Sequence, residues 1–112
     1  MDLKAMRRTA PVIAELMKVL SNETRLMILC LLVEGERSVN DLAETLEVRG
    51  PTMSQQLALL RKDGLVKTRR EGQTIYYSLA RDDILALMGF LHDAYCGPAR
   101  KRNRAGGRRR VA

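Results

Sequence analysis

Thr52, Ser54, Gln55 and Gln56 crowd hydroxyl and amide side chains into one short stretch, with Arg61 and Lys62 close behind. Such groups suit hydrogen bonding to the edges of DNA bases, where an amide matches the donor–acceptor pair of adenine. The two cations suit phosphate oxygens. Interleaved with them, Met53, Leu57 and Leu60 fall at i, i+4 and i+7 and make one apolar stripe. The spacing therefore predicts a helix that buries one side and presents Thr52, Ser54, Gln55, Ala58 and Lys62 on the other, with Arg61 at the edge. Pro51 fits the start of that helix, where its missing N–H is no loss. Gly64 fits its end.

The surrounding elements give this helix a setting. Leu65–Arg70 and Thr74–Leu79 are β-prone runs joined through Glu71-Gly72-Gln73, a hairpin signal with glycine at the bend. Arg69 and Arg70, with Gln73 and Thr74, lie at the tip of this ribbon, where they are expected to touch the DNA backbone or minor groove. Upstream, Ser38-Val39-Asn40-Asp41 resembles a capping box, and Val39, Leu42, Ala43 and Leu46 have the spacing of a two-turn helix. Val48-Arg49-Gly50 turns the chain into the polar helix. In a helix-turn-helix the second helix enters the major groove while the first crosses the backbone. A polar second helix beside a basic ribbon is the layout of a winged helix-turn-helix. The plain alternative, two core helices and a hairpin that bind nothing, leaves the joint occurrence of polar face and basic tip unexplained.

Three further helices complete the reading. Helix one covers Leu3–Val19, with Pro11 either opening its stable part or kinking it, and Val12, Leu16, Val19 and Leu20 forming its apolar face. Helix two runs from Glu23 to Val33 after the capping pair Ser21-Asn22. Its body, Leu26–Val33, is apolar all round apart from one thiol, which predicts the central buried helix with Cys30 enclosed as a small hydrophobe. A last helix spans Arg81–Tyr95, lined by Ile84, Leu87, Met88, Leu91 and Tyr95, and ends at Gly97-Pro98. The expected fold is mainly α with a small β-hairpin, in the order α1-α2-α3-α4-hairpin wing-α5, over residues 1–96. Residues 97–112 form an arginine-rich tail expected to be disordered. A domain this small cannot cover the apolar faces of helices one and five alone, so a homodimer through them is expected. It would set two reading helices about one DNA turn, roughly 34 Å, apart on an inverted-repeat operator.

Charge divides the chain in two. Residues 1–96 hold thirteen Lys and Arg against thirteen Asp and Glu, so the whole net charge of +7 resides in the tail. Within the balanced part, Arg49–Arg70 carries six cations against Asp63 alone. Double-stranded DNA is the partner this favours. An architectural protein binding phosphates without sequence preference is a rival, but base-reading amides would be superfluous there. No apolar run is long enough for a membrane span, and the N-terminus lacks a signal-peptide core, so a cytoplasmic protein without membrane contact is expected. The single histidine, His92, has no nucleophile pattern around it, and no Gly-rich phosphate loop is present. Neither an enzyme nor a cofactor is expected.

RLMILCLLVEGERSV, PTMSQQLALLRKDGLVKTRREGQTIYYSL and FLHDAYC together resemble the ArsR/SmtB winged-helix repressors over about Ala14–Cys96. Within that family the chain is most similar to the dithiol sulfur-sensing branch (the BigR, SqrR and HlyU type), which has one cysteine late in helix two and one at the end of helix five. Cys30 and Cys96 stand at those places. The cysteine pair that the arsenic and cadmium branches carry near the first reading helix is absent from Val39-Asn40-Asp41-Leu42. The last helix, with Asp82, Asp83, His92 and Asp93, offers too few donors for the zinc branch's site. The resemblance implies a repressor relieved by a sulfur donor: persulfide or polysulfide modifies one thiol, and the other attacks to leave a di-, tri- or tetrasulfide between Cys30 and Cys96. A soft ion such as Cu(I) or Cd²⁺ on Cys30, Cys96 and His92 is the second reading, and general thiol oxidation a third.

Overall fold

The computed structural model describes residues 1–97, and the expected tail disorder lies outside the described residues. The order is α1 (Leu3–Leu20), α2 (Glu23–Leu32), β1 (Arg37–Ser38), α3 (Val39–Leu46), α4 (Gly50–Lys62), β2 (Val66–Glu71), β3 (Thr74–Leu79) and α5 (Asp82–Cys96). Five helices and a wing are as the sequence predicts, but the sheet has three strands, in the order β1-β3-β2, all antiparallel.

Local chemistry sets the boundaries. Asp2 caps α1 by accepting from the Ala5 amide at 3.1 Å, and the helix runs through Pro11 without interruption. Asn22 caps α2 through Arg25 N–H at 3.0 Å. Ser38 caps α3 through Asp41 N–H at 3.1 Å. Asp41 then turns to Arg37 and Thr45, at 3.2 Å each, so the box is completed by side chains. The turn between α3 and α4 differs from expectation: the chain reverses at Glu47, which holds φ 55. A non-glycine residue in this left-handed region costs about 1 kcal/mol or more, which the flanking helices must offset. Gly64 ends α4 at φ 77, and Gly72 takes φ 64 in the two-residue loop that Glu71↔Thr74 pairing defines. Glycine first in such a loop is the type II′ hairpin, whose twist suits the flanking strands.

The core is aliphatic: Ile28, Leu29 and Leu32 from α2 meet Leu42, Met53, Leu57, Leu60, Leu65, Ile84 and Met88. Helix α2 packs against α1, α3, α4, α5 and β3, so it is central. It is not buried all round. Met27, Cys30 and Val33 are exposed, since none of the described residues covers that side of α2. An unbroken apolar run has no period, so its sequence could not say which side lay open.

Candidate functional site

Helix α4 stands on Met53, Leu57 and Leu60, all fully buried. Each such side chain stabilises the helix's seat by roughly 1.5–3 kcal/mol. That anchoring turns Thr52, Ser54, Gln55, Ala58, Arg61 and Lys62 outward, as the stripe predicts. Ser54 and Gln55 have no hydrogen-bond partner among the described residues. Their polar atoms are available to a ligand.

Gln56 departs from the expectation. It is half-buried, and its Oε1 accepts from Arg25 Nη1 at 2.9 Å. The same guanidinium donates from Nε to the Val19 carbonyl at 2.6 Å. Val19 lies in the last turn of α1, whose carbonyls have no partner within the helix. Arg25 thus joins α1, α2 and α4 at one point. Sequence reasoning missed it, although one signal was present: a cation inside an apolar helix needs a partner.

The wing also sorts its residues. Arg69 Nε donates to both carboxylate oxygens of Glu36 at 3.2 Å, and Nη1 to Glu71 at 3.0 Å. Its guanidinium carbon sits 4.7 Å from the centroid of the Tyr76 ring. The hydrogen bond from Arg69 holds the Glu36 carboxyl below the usual carboxylate range and keeps Arg69 firmly protonated. Arg69 is therefore engaged by two carboxylates of the protein itself at the place where a DNA contact is expected. Arg70, on the opposite sheet face, is exposed with no acidic partner among the described residues. Gln73 and Thr74 are exposed at the tip and border a small cleft with Ser38 and Asn40 of the α3 start.

The thiols lie on the outer side of α2 and the end of α5. Cys30 is exposed, not enclosed; its Sγ is 3.9 Å from Met88 Sδ of α5, and it opens into a cleft of about 200 Å³ shared with Glu34, His92 and Asp93. Partial apolar cover pushes the Cys30 thiol up, and the charge of an ionised Cys96 pushes it the same way. Cys96, the last residue of α5, is exposed too. It lies eight residues past Met88, about 12 Å along the helix axis. The two thiols are both free. His92 Nδ1 stands 3.7 Å from Asp93. Among the described residues no group of three or more His, Cys, Asp or Glu is placed so that it could hold a metal ion.

Residues 22–68, from the α2 cap through the start of the wing, match the family described as bacterial regulatory protein, arsR family. The transcriptional activator HlyU of Vibrio cholerae is 43% identical over 96 residues, 86% of this chain and 89% of that one. The chain belongs to the arsR family. A structure of that relative in its reduced form superposes with a TM-score of 0.78, at 42% identity over 83% of this chain and 98% of that one. The biofilm growth-associated repressor of Agrobacterium fabrum is 45% identical over 96 residues, 86% of this chain and 82% of its own. The crystal structure of the repressor BigR from Xylella fastidiosa gives a TM-score of 0.82 at 40% identity, covering 88% of this chain and all of that one (100%). This arsR protein is accordingly a DNA-binding transcriptional regulator with the winged-helix fold, and the family is not one of enzymes. None of its described helices is long and apolar enough to cross a membrane.

Proposed function

We propose that this protein is a homodimeric repressor that reads an inverted-repeat operator through α4 and leaves it when reactive sulfur species link Cys30 to Cys96. One observation carries the switch: Cys30, though set in an apolar helix, opens outward toward α5, at the edge where Cys96 ends that helix. Repression follows the biofilm repressors to which the chain is similar. Dimerisation is supported by the apolar side chains that the protomer leaves uncovered on its two terminal helices: Val12, Ile13 and Met17 of α1, and Leu85, Phe90 and Tyr95 of α5.

The chemistry balances without a metal. A persulfide RSSH transfers its outer sulfur to one protein thiol, releasing RSH and leaving a protein persulfide. The second thiolate attacks the inner sulfur and expels hydrosulfide, so two thiols and RSSH give RSH, H₂S and a disulfide. Further donor equivalents lengthen the bridge. A bridge between the two thiols would tie the end of α5 to α2, and added sulfur atoms would lengthen the span it can cover. A coupling of about 1–3 kcal/mol would lower operator affinity roughly 5- to 150-fold.

The test compares wild type, Cys30→Ser and Cys96→Ser. All three should bind DNA when reduced, and persulfide should release wild type alone, with intact-mass analysis finding the link inside one protomer. If both single variants are released, the dithiol mechanism is wrong. Release by Cu(I) or Cd²⁺ under reducing conditions, impaired in His92→Ala, would favour the metal reading instead.

A further inference from the structure

We infer that Arg25 and Gln56 are positioning residues that fix the rotation of the reading helix, and that Gln56, despite its place in the polar run, does not read a base. The inference rests on α4 being the base-reading helix.

Valence decides which atom of Gln56 meets Arg25. An amide recognises adenine by using both ends, its oxygen accepting from N6–H and its nitrogen donating to N7. Arg25 has only donors, so the atom it meets on Gln56 must be the oxygen, which settles which way the amide points. With Oε1 held at 2.9 Å by a guanidinium, the acceptor half of that pair is occupied. Gln55, its neighbour on the exposed side, has both ends open.

Arg25 is fixed from its other side. Its Nε bond to the Val19 carbonyl, at 2.6 Å, ties it to the end of α1, and its own backbone N–H is taken by the Asn22 cap. Gln56 is therefore gripped by a group that cannot easily shift. The buried Met53, Leu57 and Leu60 set which side of α4 faces the core, but all three contacts lie on one stripe. A hydrogen bond to one side of the helix resists rotation about its axis. Side-chain tips lie roughly 7 Å from a helix axis, so a rotation of about 10° moves them about 1 Å, enough to spoil a hydrogen bond of ordinary geometry. Thr52, Ser54 and Gln55 would all lose their register together.

Selection of bound sites from a random duplex pool, followed by affinity measurements on the selected site, separates positioning from reading. Gln55→Ala should erase the preference at one base pair in each half-site. Gln56→Ala and Arg25→Ala should each weaken the selected site about tenfold while favouring the same base at every position, with discrimination reduced evenly. The double variant should be no weaker than the worse single one, since both remove the same bond. Gln56→Glu keeps the acceptor for Arg25 and should retain the wild-type profile. If Gln56 read a base, that change would move one position toward cytosine, whose N4–H a carboxylate accepts. A shift of that kind, or loss of a single position in Gln56→Ala, would overturn the inference alone. A wild-type protein that selects no sequence would overturn the reading of α4 as well. Should Arg25→Ala unfold, the two Gln56 variants decide the matter without it.

Discussion

The structure divides two adjacent wing arginines that look equivalent in the sequence, and salt dependence can tell them apart. Arg69 is matched by Glu36 and Glu71, so neutralising a phosphate with it would leave two carboxylates facing the DNA. Arg70 has no acidic partner among the described residues, and its charge is free for a phosphate. Each phosphate neutralised contributes about 0.9 to the slope of log K against log salt. Two wings in a dimer thus contribute about 1.8 through Arg70, or roughly a 60-fold difference in affinity near 0.1 M salt. Arg70→Gln should remove that share. The charge-balanced pair Glu36→Gln with Arg69→Gln leaves the wing's net charge unchanged and should keep the slope within about 0.5 of wild type. Fluorescence anisotropy on a labelled duplex, titrated between about 50 and 200 mM salt, reads both slopes. An equal fall in the balanced pair would show that Arg69 swings off Glu36 to reach the DNA, and the assignment made from the free protein would be wrong.

Gln55→Ala should weaken a selected site by about 1–3 kcal/mol, roughly 5- to 150-fold, and leave random duplex nearly untouched in the same binding assay. Removing residues 97–112, with their seven cations, should flatten the salt dependence while operator preference survives. Cys30 holds its proton more tightly than an ordinary thiol, so its alkylation should accelerate only above the usual thiol range of about 8.5, and Cys96→Ser should lower that midpoint by removing a like charge. The same shift means that the unfolded chain releases this proton first, so the contribution to stability is full below the ordinary thiol pKa and is lost as pH rises through the raised one. Phe90, 65% exposed on α5, should belong to the dimer contact; sedimentation of Phe90→Glu should give monomers, and a persistent dimer would place the contact elsewhere.

What could be read from the sequence was local. Asn22, Ser38, Gly64 and Gly72 signal caps and turns through their own backbone preferences, and the Met53, Leu57 and Leu60 stripe fixes which way α4 faces. What could not be read depends on partners far along the chain. Strand β1 is two residues long, and only its pairing with Tyr76 and Tyr77 makes it a strand. Gln56 resembles its neighbours until Arg25, from another helix, takes its oxygen. Arg69 and Arg70 differ because Glu36, Glu71 and the Tyr76 ring gather round the first of them alone. Glu47 gives no turn signal at all, since the residue types that favour positive φ are absent there. Burial of Cys30 failed for a different reason: hydrophobicity all round a helix predicts cover on every side, but the described residues of this chain leave one side of α2 open.

Helix α2 is where these threads meet. Its first turn carries Arg25, which grips the reading helix and the end of α1. Less than two turns later it carries Cys30, beside α5. Between them Ile28 and Leu29 are fully buried in the core shared with α3 and α4. A ten-residue helix so packed moves as a rigid body more readily than it bends. Strain applied at Cys30 therefore need not travel through a chain of side-chain rearrangements to reach the DNA face. In the proposed switch a small tilt of α2 would displace Arg25, and Arg25 would displace Gln56 and turn α4. Register would then be lost at Ser54 and Gln55, although neither residue approaches a thiol.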